Sequence, residues 1–313
     1  MDRRKFLRAV ALTGAAITTM KETDAMSVLT QSFQTNRAAA NYDLVAVMGG
    51  EPEEMFRKAI TEMGGMQKFI SKGDKVCVKP NIGWDRSPEM AATTNPKLVA
   101  EIIKQCFDAG ASEVTVFDHP CDEWRKTYSN SGIEEAARKA GAKVLPAHQE
   151  SYYKTVSIPK GKRLKTAKIH EAIVESDKWI NVPILKNHGG AQLTISMKNY
   201  MGIVWDRRFF HANDLQQCIA DVCTYEKRPV LNVVDAYRLM KTNGPKGKSP
   251  SDVVLAKGLF MSQDIVAVDT AAANFFNQAR EMPIERVTHI AKAQELGLGT
   301  MNLDKLNIRR VRI

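Results

Sequence analysis

From Asp43 onward, short apolar runs alternate with longer stretches whose apolar positions recur every three or four residues. The first pattern fits strands buried in a sheet and the second fits helices with one apolar face. Strands are predicted over residues 43–48, 75–79, 113–117, 143–145, 179–185, 230–234 and 258–261. Helices are predicted over 53–63, 96–109, 132–140, 214–225, 265–276 and 283–294. Repeated strand-helix units predict an α/β fold, with a largely parallel or mixed sheet covered by helices. Residues 151–173 break the rhythm: they are basic and turn-rich, and predict an inserted hairpin around Pro159–Lys162.

The first 41 residues follow a different pattern. Arg3 and Arg4 precede Lys5, Phe6, Leu7 and a mildly apolar run from Ala9 to Met20, the order of a twin-arginine signal. The run is too short and too rich in Thr and Gly to span a bilayer, where a helix needs about 20 apolar residues. Residues 1–25 are therefore expected to be an export signal, residues 26–41 a flexible leader, and residues 42–313 the α/β domain. This predicts a periplasmic or otherwise exported protein that meets the twin-arginine machinery already folded. No membrane span is expected in the mature chain. A lobe boundary near Gln149 and a single elaborated domain both fit, and the second is preferred.

The full chain of 313 residues carries a formal charge of +10, and removing the leader to Ala25, with five basic and three acidic residues, leaves +8. Such a surplus favours anionic partners. Its Lys and Arg residues are dispersed, without a zinc finger or RNA-binding aromatic signature, so nucleic acid is not an expected partner. Five cysteines, Cys77, Cys106, Cys121, Cys218 and Cys223, lack clustered spacing. An iron-sulfur cluster on this chain is not expected, and each cysteine reads as a small buried apolar residue. One or two disulfides could form after export, although Cys218 and Cys223 fall on different helix faces.

In sheets of this kind ligands bind beyond the carboxyl ends of strands, and four predicted strands here end in polar residues. These are KPN at Lys79–Asn81, DHP at Asp118–Pro120, LKNH at Leu185–His188 and VDAY at Val234–Tyr237. Ten residues after LKNH, Lys198 and Asn199 repeat the pairing of a cation with an amide. Ammonium, imidazole and amide donors suit a carboxylate or phosphate, and a desolvated lysine can titrate near neutrality. Lys79, Asn81, Lys198 and Asn199 are thus candidate binding residues for a small anionic ligand, with Lys186, His188 and Asp235 as candidate catalytic groups. His188, His211, Asp235, Asp264 and Asp269 could hold a divalent metal, though Asp264 serves equally well as a helix N-cap. His119, His148, His170 and His289 read as packing or surface residues. The loop TNGPKGKSP, Thr242–Pro250, reads as mobile and fits either a flap or a plain connection.

Taken in order, VKPNI, TTNPKLV, VPILKNHGGAQLTISMKNYMGIV, VVDAYRLMKTNGPKG and SQDIVAVDTAA resemble the family called domain of unknown function 362, over nearly all of the chain after the leader. The resemblance places the family motif on Lys79, Asn81, Lys186, His188, Lys198, Asn199, Asp235, Asp264 and Asp269. Some members carry an added ferredoxin-like cysteine cluster, and this chain ends at Ile313 without one, so that cofactor is not carried over. Three functions are consistent with the residues. The first is an exported enzyme, or a partner in a redox or cofactor pathway, acting on an anionic substrate. The others are a protein that captures an anionic ligand without turnover and a structural or interaction protein.

Overall fold

A computed structural model describes residues 41–313; the expected signal and all but the last residue of the expected leader lie outside them. Strand β1 (Leu44–Met48) leads to helix α1 (Pro52–Glu62), β2 (Lys75–Pro80), α2 (Pro96–Asp108) and β3 (Glu113–Val116). Two short helices, α3 (Trp124–Asn130) and α4 (Ile133–Lys139), precede β4 (Lys143–Val144). The basic segment forms the expected hairpin, β5 (Tyr153–Ser157) against β6 (Thr166–His170), as a separate two-stranded sheet. Then come α5 (Glu171–Glu175), β7 (Lys178–Val182), β8 (Ile184–His188), β9 (Gln192–Thr194), α6 (Ser196–Asn199), α7 (Arg208–Ala212) and α8 (Leu215–Val222). The chain finishes with β10 (Leu231–Met240), β11 (Val253–Ser262), α9 (Ile265–Ala279), α10 (Thr288–Glu295) and β12 (Ile308–Arg312).

The main sheet has ten strands in the order β12-β1-β11-β10-β7-β2-β3-β4, with β8 and β9 branching from β10. From β10 to β4 the neighbours on this path are parallel; β11 runs antiparallel to both β1 and β10. β2, before Gln149, pairs with β7, after it, so one sheet crosses the boundary considered there.

Alternation along each strand divides the core in two. Val76 and Val78 face one apolar layer with Leu98 and Ile102 of α2, while Cys77 and Trp179 face the other, with Ala272 and Phe276 of α9. On this second face the register sets Lys79 beside Asn181, Asn181 beside Asn232, and Asn232 beside Ser262. A polar row therefore crosses four strands of an otherwise apolar sheet. Buried amides persist in such places only when they are hydrogen-bonded. Asn181 Nδ2 accordingly donates to Asn232 Oδ1 at 3.0 Å, and Asn199 Nδ2 of α6 donates to Asn181 Oδ1 at 2.9 Å.

The apolar run expected as one strand over 179–185 is two strands, because Pro183 has no N–H to continue the ladder. Its carbonyl still accepts from Asp235 N at 2.9 Å, and β8 then runs on beside the second half of β10. The break carries Lys186 past the end of β2. The β8–β9 hairpin turns at Gly189–Gly190, and α6 brings Lys198 and Asn199 back to the same rim.

Candidate active site

The carboxyl ends of β2, β3 and β8, together with α6 and α7, surround a cavity of about 590 Å³. Its lining includes Lys79, Asn81, Asp118, His119, Lys186, His188, Lys198, Asn199, Arg207 and His211. Three lysines there differ in the number of acceptors around them, and that number separates their chemistry.

Lys79 is fully buried and has three acceptors for its three protons: Asn199 O and Oδ1, each at 2.8 Å, and Asp118 Oδ1 at 2.8 Å. Burial pulls its pKa below the ordinary lysine value and the Asp118 charge opposes that. Asp118 is held in turn by the Ile82 N–H at 2.6 Å and the His119 N–H at 2.9 Å. Gly202 makes room for this pair: a Cβ there would lie 1.9 Å from Asp118 Oδ1 and 2.5 Å from Lys79 Nζ. Lys79, expected to bind ligand, therefore has its protons occupied inside the protein. With Asn199 it forms the floor of the cavity.

Lys186 is 1% exposed and has two acceptors, Asn81 Oδ1 at 3.2 Å and the Ala92 carbonyl, with no carboxylate paired to it among the described residues. Burial and the neighbouring Lys198 charge lower its pKa to about 7. Two acceptors leave one position on the nitrogen without a partner among the described residues, in a side chain that lines the cavity. Asn81 is fixed in that orientation because its Nδ2 donates to Asn199 Oδ1 at 3.0 Å.

Lys198 is half-buried, and no hydrogen bond or ion pair to its ammonium is found among the described residues. Burial brings its pKa to about 8, with Arg207 and Lys79 pressing in the same direction. Its position is set by Asp269, which accepts from Ser196 N at 2.8 Å and Met197 N at 2.9 Å at the start of α6. Asp269 thus orients the helix that carries Lys198 rather than facing a ligand.

The histidines that line the cavity all have lowered pKa values. His188 Nδ1 accepts from Ala191 N at 3.1 Å, which places the proton of the neutral ring on Nε2. Burial and the charges of Lys198 and Lys186 take its pKa down to about 2, which favours the neutral ring. His119 packs as expected and also belongs to the site. It lines the cavity, stacks on Trp205 with centroids 5.1 Å apart, and is kept neutral by burial, with a pKa of about 4. Exposed His211 stands at the rim, its pKa lowered by burial and by Lys198.

Asp235 lies outside the cavity lining. Its buried carboxylate accepts from Asn95 N at 2.7 Å and Tyr237 N at 3.0 Å, fixing the start of α2 to β10. Burial raises its pKa to about 6, but no path to a ligand accompanies that shift. Asp264 is the N-cap of α9: one oxygen accepts from Val266 N and Ala267 N, each at 2.8 Å, and the other from Thr300 N at 3.0 Å. The five residues considered for a metal are therefore not gathered, and the described residues contain no group of three or more His, Cys, Asp or Glu side chains suited to one.

Sequence reading missed Arg207. Its guanidinium donates to the carbonyls of His119 and Pro120, both at 2.8 Å, so it adds positive charge to the rim with no carboxylate partner among the described residues. Its signal was the basic pair in WDRRFFH, immediately after the lysine-bearing segment. The Thr242–Pro250 loop forms one wall through Pro245. It is fastened rather than loose: Asp252 accepts from Thr242 Oγ1 and Asn243 Nδ2, each at 2.6 Å, and from Lys248 N at 2.7 Å. The Lys246–Asp122 ion pair, 2.7 Å long, ties the loop to the segment after β3. Cys77, Cys106, Cys218 and Cys223 are buried as expected, Cys121 is exposed, and all five are free thiols.

These loops coincide with a known sequence pattern, since residues 76–274 match the family described as Domain of unknown function (DUF362). The chain belongs to that family. Within the cavity, every residue named above falls inside the DUF362 match. A thylakoid-associated protein of Synechocystis sp. is 24% identical over 221 residues, covering 68% of this chain and 66% of its own. Two solved structures are similar at 12% identity. The lactate racemase apoprotein from Thermoanaerobacterium thermosaccharolyticum has a TM-score of 0.48, covering 75% of this chain and 57% of its own. A Thermotoga maritima protein has a TM-score of 0.47, with coverages of 73% and 60%. The chain thus spans less than two thirds of the length of each of these relatives. None of the described helices is long and apolar enough to cross a membrane.

Proposed function

We propose that this DUF362 chain is an enzyme that holds a small anionic substrate against Lys198 and uses Lys186 as the group that takes and returns a proton. The observation that carries this reading is the graded satisfaction of three lysines in one cavity: three acceptors at Lys79, two at Lys186 and none at Lys198. An ammonium without a partner inside a concave site attracts an anion, and little competing negative charge is present. Asp118 is committed to Lys79, and Asp206 lies 3.8 Å from Arg208 at the rim. An amine titrating near neutrality matches the requirement of a general base at physiological pH. Neutral His188 would donate from Nε2 to a substrate oxygen. A volume of about 590 Å³ is in the range of small-molecule sites.

Thermal unfolding in the presence of phosphate, oxalate and other small carboxylates tests the binding step. At least one such anion is expected to raise the melting temperature of the native chain, and Lys198→Met is expected to remove the effect. No stabilisation by any of them would overturn the reading. Capture without turnover is the rival function, and the incomplete set of acceptors at buried Lys186 favours chemistry over capture.

Export in the folded state is part of the same proposal and rests on Arg3 and Arg4. Fractionation of cells making the full chain should find it outside the cytoplasm, and the double change Arg3→Lys, Arg4→Lys should retain it inside. An unchanged distribution would refute the export route.

A further inference from the structure

The geometry points to a substrate that carries an aldehyde or ketone as well as its negative charge, with Lys186 forming an imine to that carbonyl. This rests on the anion-binding reading above and names its substrate class; Lys186 then acts as a nucleophile in place of the proton-transfer role given to it there. A lysine used only to attract charge needs no particular number of acceptors. Lys186 is buried, anchored through Asn81 Oδ1 at 3.2 Å and the Ala92 carbonyl, lines the cavity, and has no third partner for its nitrogen among the described residues. That is the arrangement of a nucleophile, since an amine attacks through its lone pair while its N–H bonds fix the direction of approach. Burial and the second cation, Lys198, both favour the uncharged amine, and Lys198 supplies the contact for the anionic end of the same molecule.

The step balances with the groups present. A C–N bond forms between Lys186 Nζ and the carbonyl carbon as the carbon–oxygen π bond opens. One amine proton and one proton from solvent leave with the oxygen as water. The resulting iminium keeps one N–H, which the Ala92 carbonyl can accept, and no oxidant or reductant is required. The positive iminium then withdraws electrons from the adjoining carbon, the usual purpose of such an adduct.

The test uses two probes that share this chemistry but differ in their anion: pyruvate, a carboxylate, and dihydroxyacetone phosphate. The full chain is incubated with each in the presence of cyanoborohydride, which reduces an imine to a stable amine, and the adduct is located by peptide mass mapping. The expected result is a single adduct on Lys186 with at least one probe, about tenfold above any other lysine. It should be absent from Lys186→Arg and Lys186→Gln variants whose circular dichroism matches the native chain. Labelling by pyruvate alone assigns a carboxylate, labelling by dihydroxyacetone phosphate alone assigns a phosphate, and either supports the proposal. No adduct with either probe, labelling spread over exposed lysines, or labelling that persists in both variants overturns it. Calorimetry with oxalate and phosphate separates the two levels. Binding without an adduct removes the imine and keeps the anion site, whereas neither binding nor adduct removes both.

Discussion

Lys79 Nζ and Asp118 Oδ1 lie 2.8 Å apart with both side chains closed to solvent, directly beneath the cavity. Removing one partner leaves the other charge buried and unpaired, which typically costs about 3–5 kcal/mol. Lys79→Met and Asp118→Asn are each expected to lose about that much in urea unfolding. The double change Lys79→Met, Asp118→Leu should recover a large part of the loss, because it strands no charge.

Gly202 allows that pair to exist. A methyl group in the place of its hydrogen would overlap Asp118 Oδ1 and Lys79 Nζ. Gly202→Ala should therefore behave as an overpacked core change, costing about 1–3 kcal/mol. The same variant should weaken anion binding, since the carbonyl of Gly202 also holds the His119 N–H at 3.1 Å. Unfolding and calorimetry on one preparation check both effects.

Asp269 acts on the site at one remove. It faces no ligand, but its two oxygens hold the first turn of the helix bearing Lys198. Asp269→Ala leaves the N–H groups of Ser196 and Met197 without acceptors, a loss of about 1–3 kcal/mol. Anion affinity should fall together with stability. Asp264→Ala, which uncaps the same face of the molecule away from the cavity, should cost about 1 kcal/mol and leave affinity unchanged.

Much of this was legible in the sequence, and the rest failed for identifiable reasons. Polar residues closing apolar runs located Lys79, Asn81, Lys186 and His188 at one rim, because a parallel sheet delivers its carboxyl ends together, and the repeated cation-amide pair added Lys198. Asp235 closes an apolar run in the same way, yet β10 continues past it to Met240, so the residue sits within a strand and holds backbone amides. Proline at position 183 was visible, but the extension of the sheet beyond it depends on the pairing of β8 with β10, a long-range contact. The acceptor counts that distinguish the three lysines involve Asn81, Ala92 and Asn199, which only tertiary packing brings to the nitrogens. The metal set was not brought together: Asp264 caps a helix and Asp235 and Asp269 hold backbone amides, roles that spacing alone does not separate from ligation.

Stability should depend on pH in a direction set by Lys186. Its folded pKa, about 7, lies below the ordinary lysine value of about 10.4. Between these values the unfolded chain binds more protons, so this group's contribution to stability grows as pH rises from about 7 towards 10. Urea midpoints of the native chain and of Lys186→Met should diverge over that range, with the native chain gaining. Anion affinity should move in the opposite direction, falling as pH passes about 8 and Lys198 loses its proton.

The protonation of Lys186 is the most direct measurement of all. Proton and carbon resonances of the lysine ε-methylene groups, followed through a pH titration of labelled protein, report each amine separately. One lysine should titrate near 7, and its signal should be missing from the spectrum of Lys186→Arg. A titration in which the Lys186 signal keeps its ammonium position to pH 10 would contradict the account.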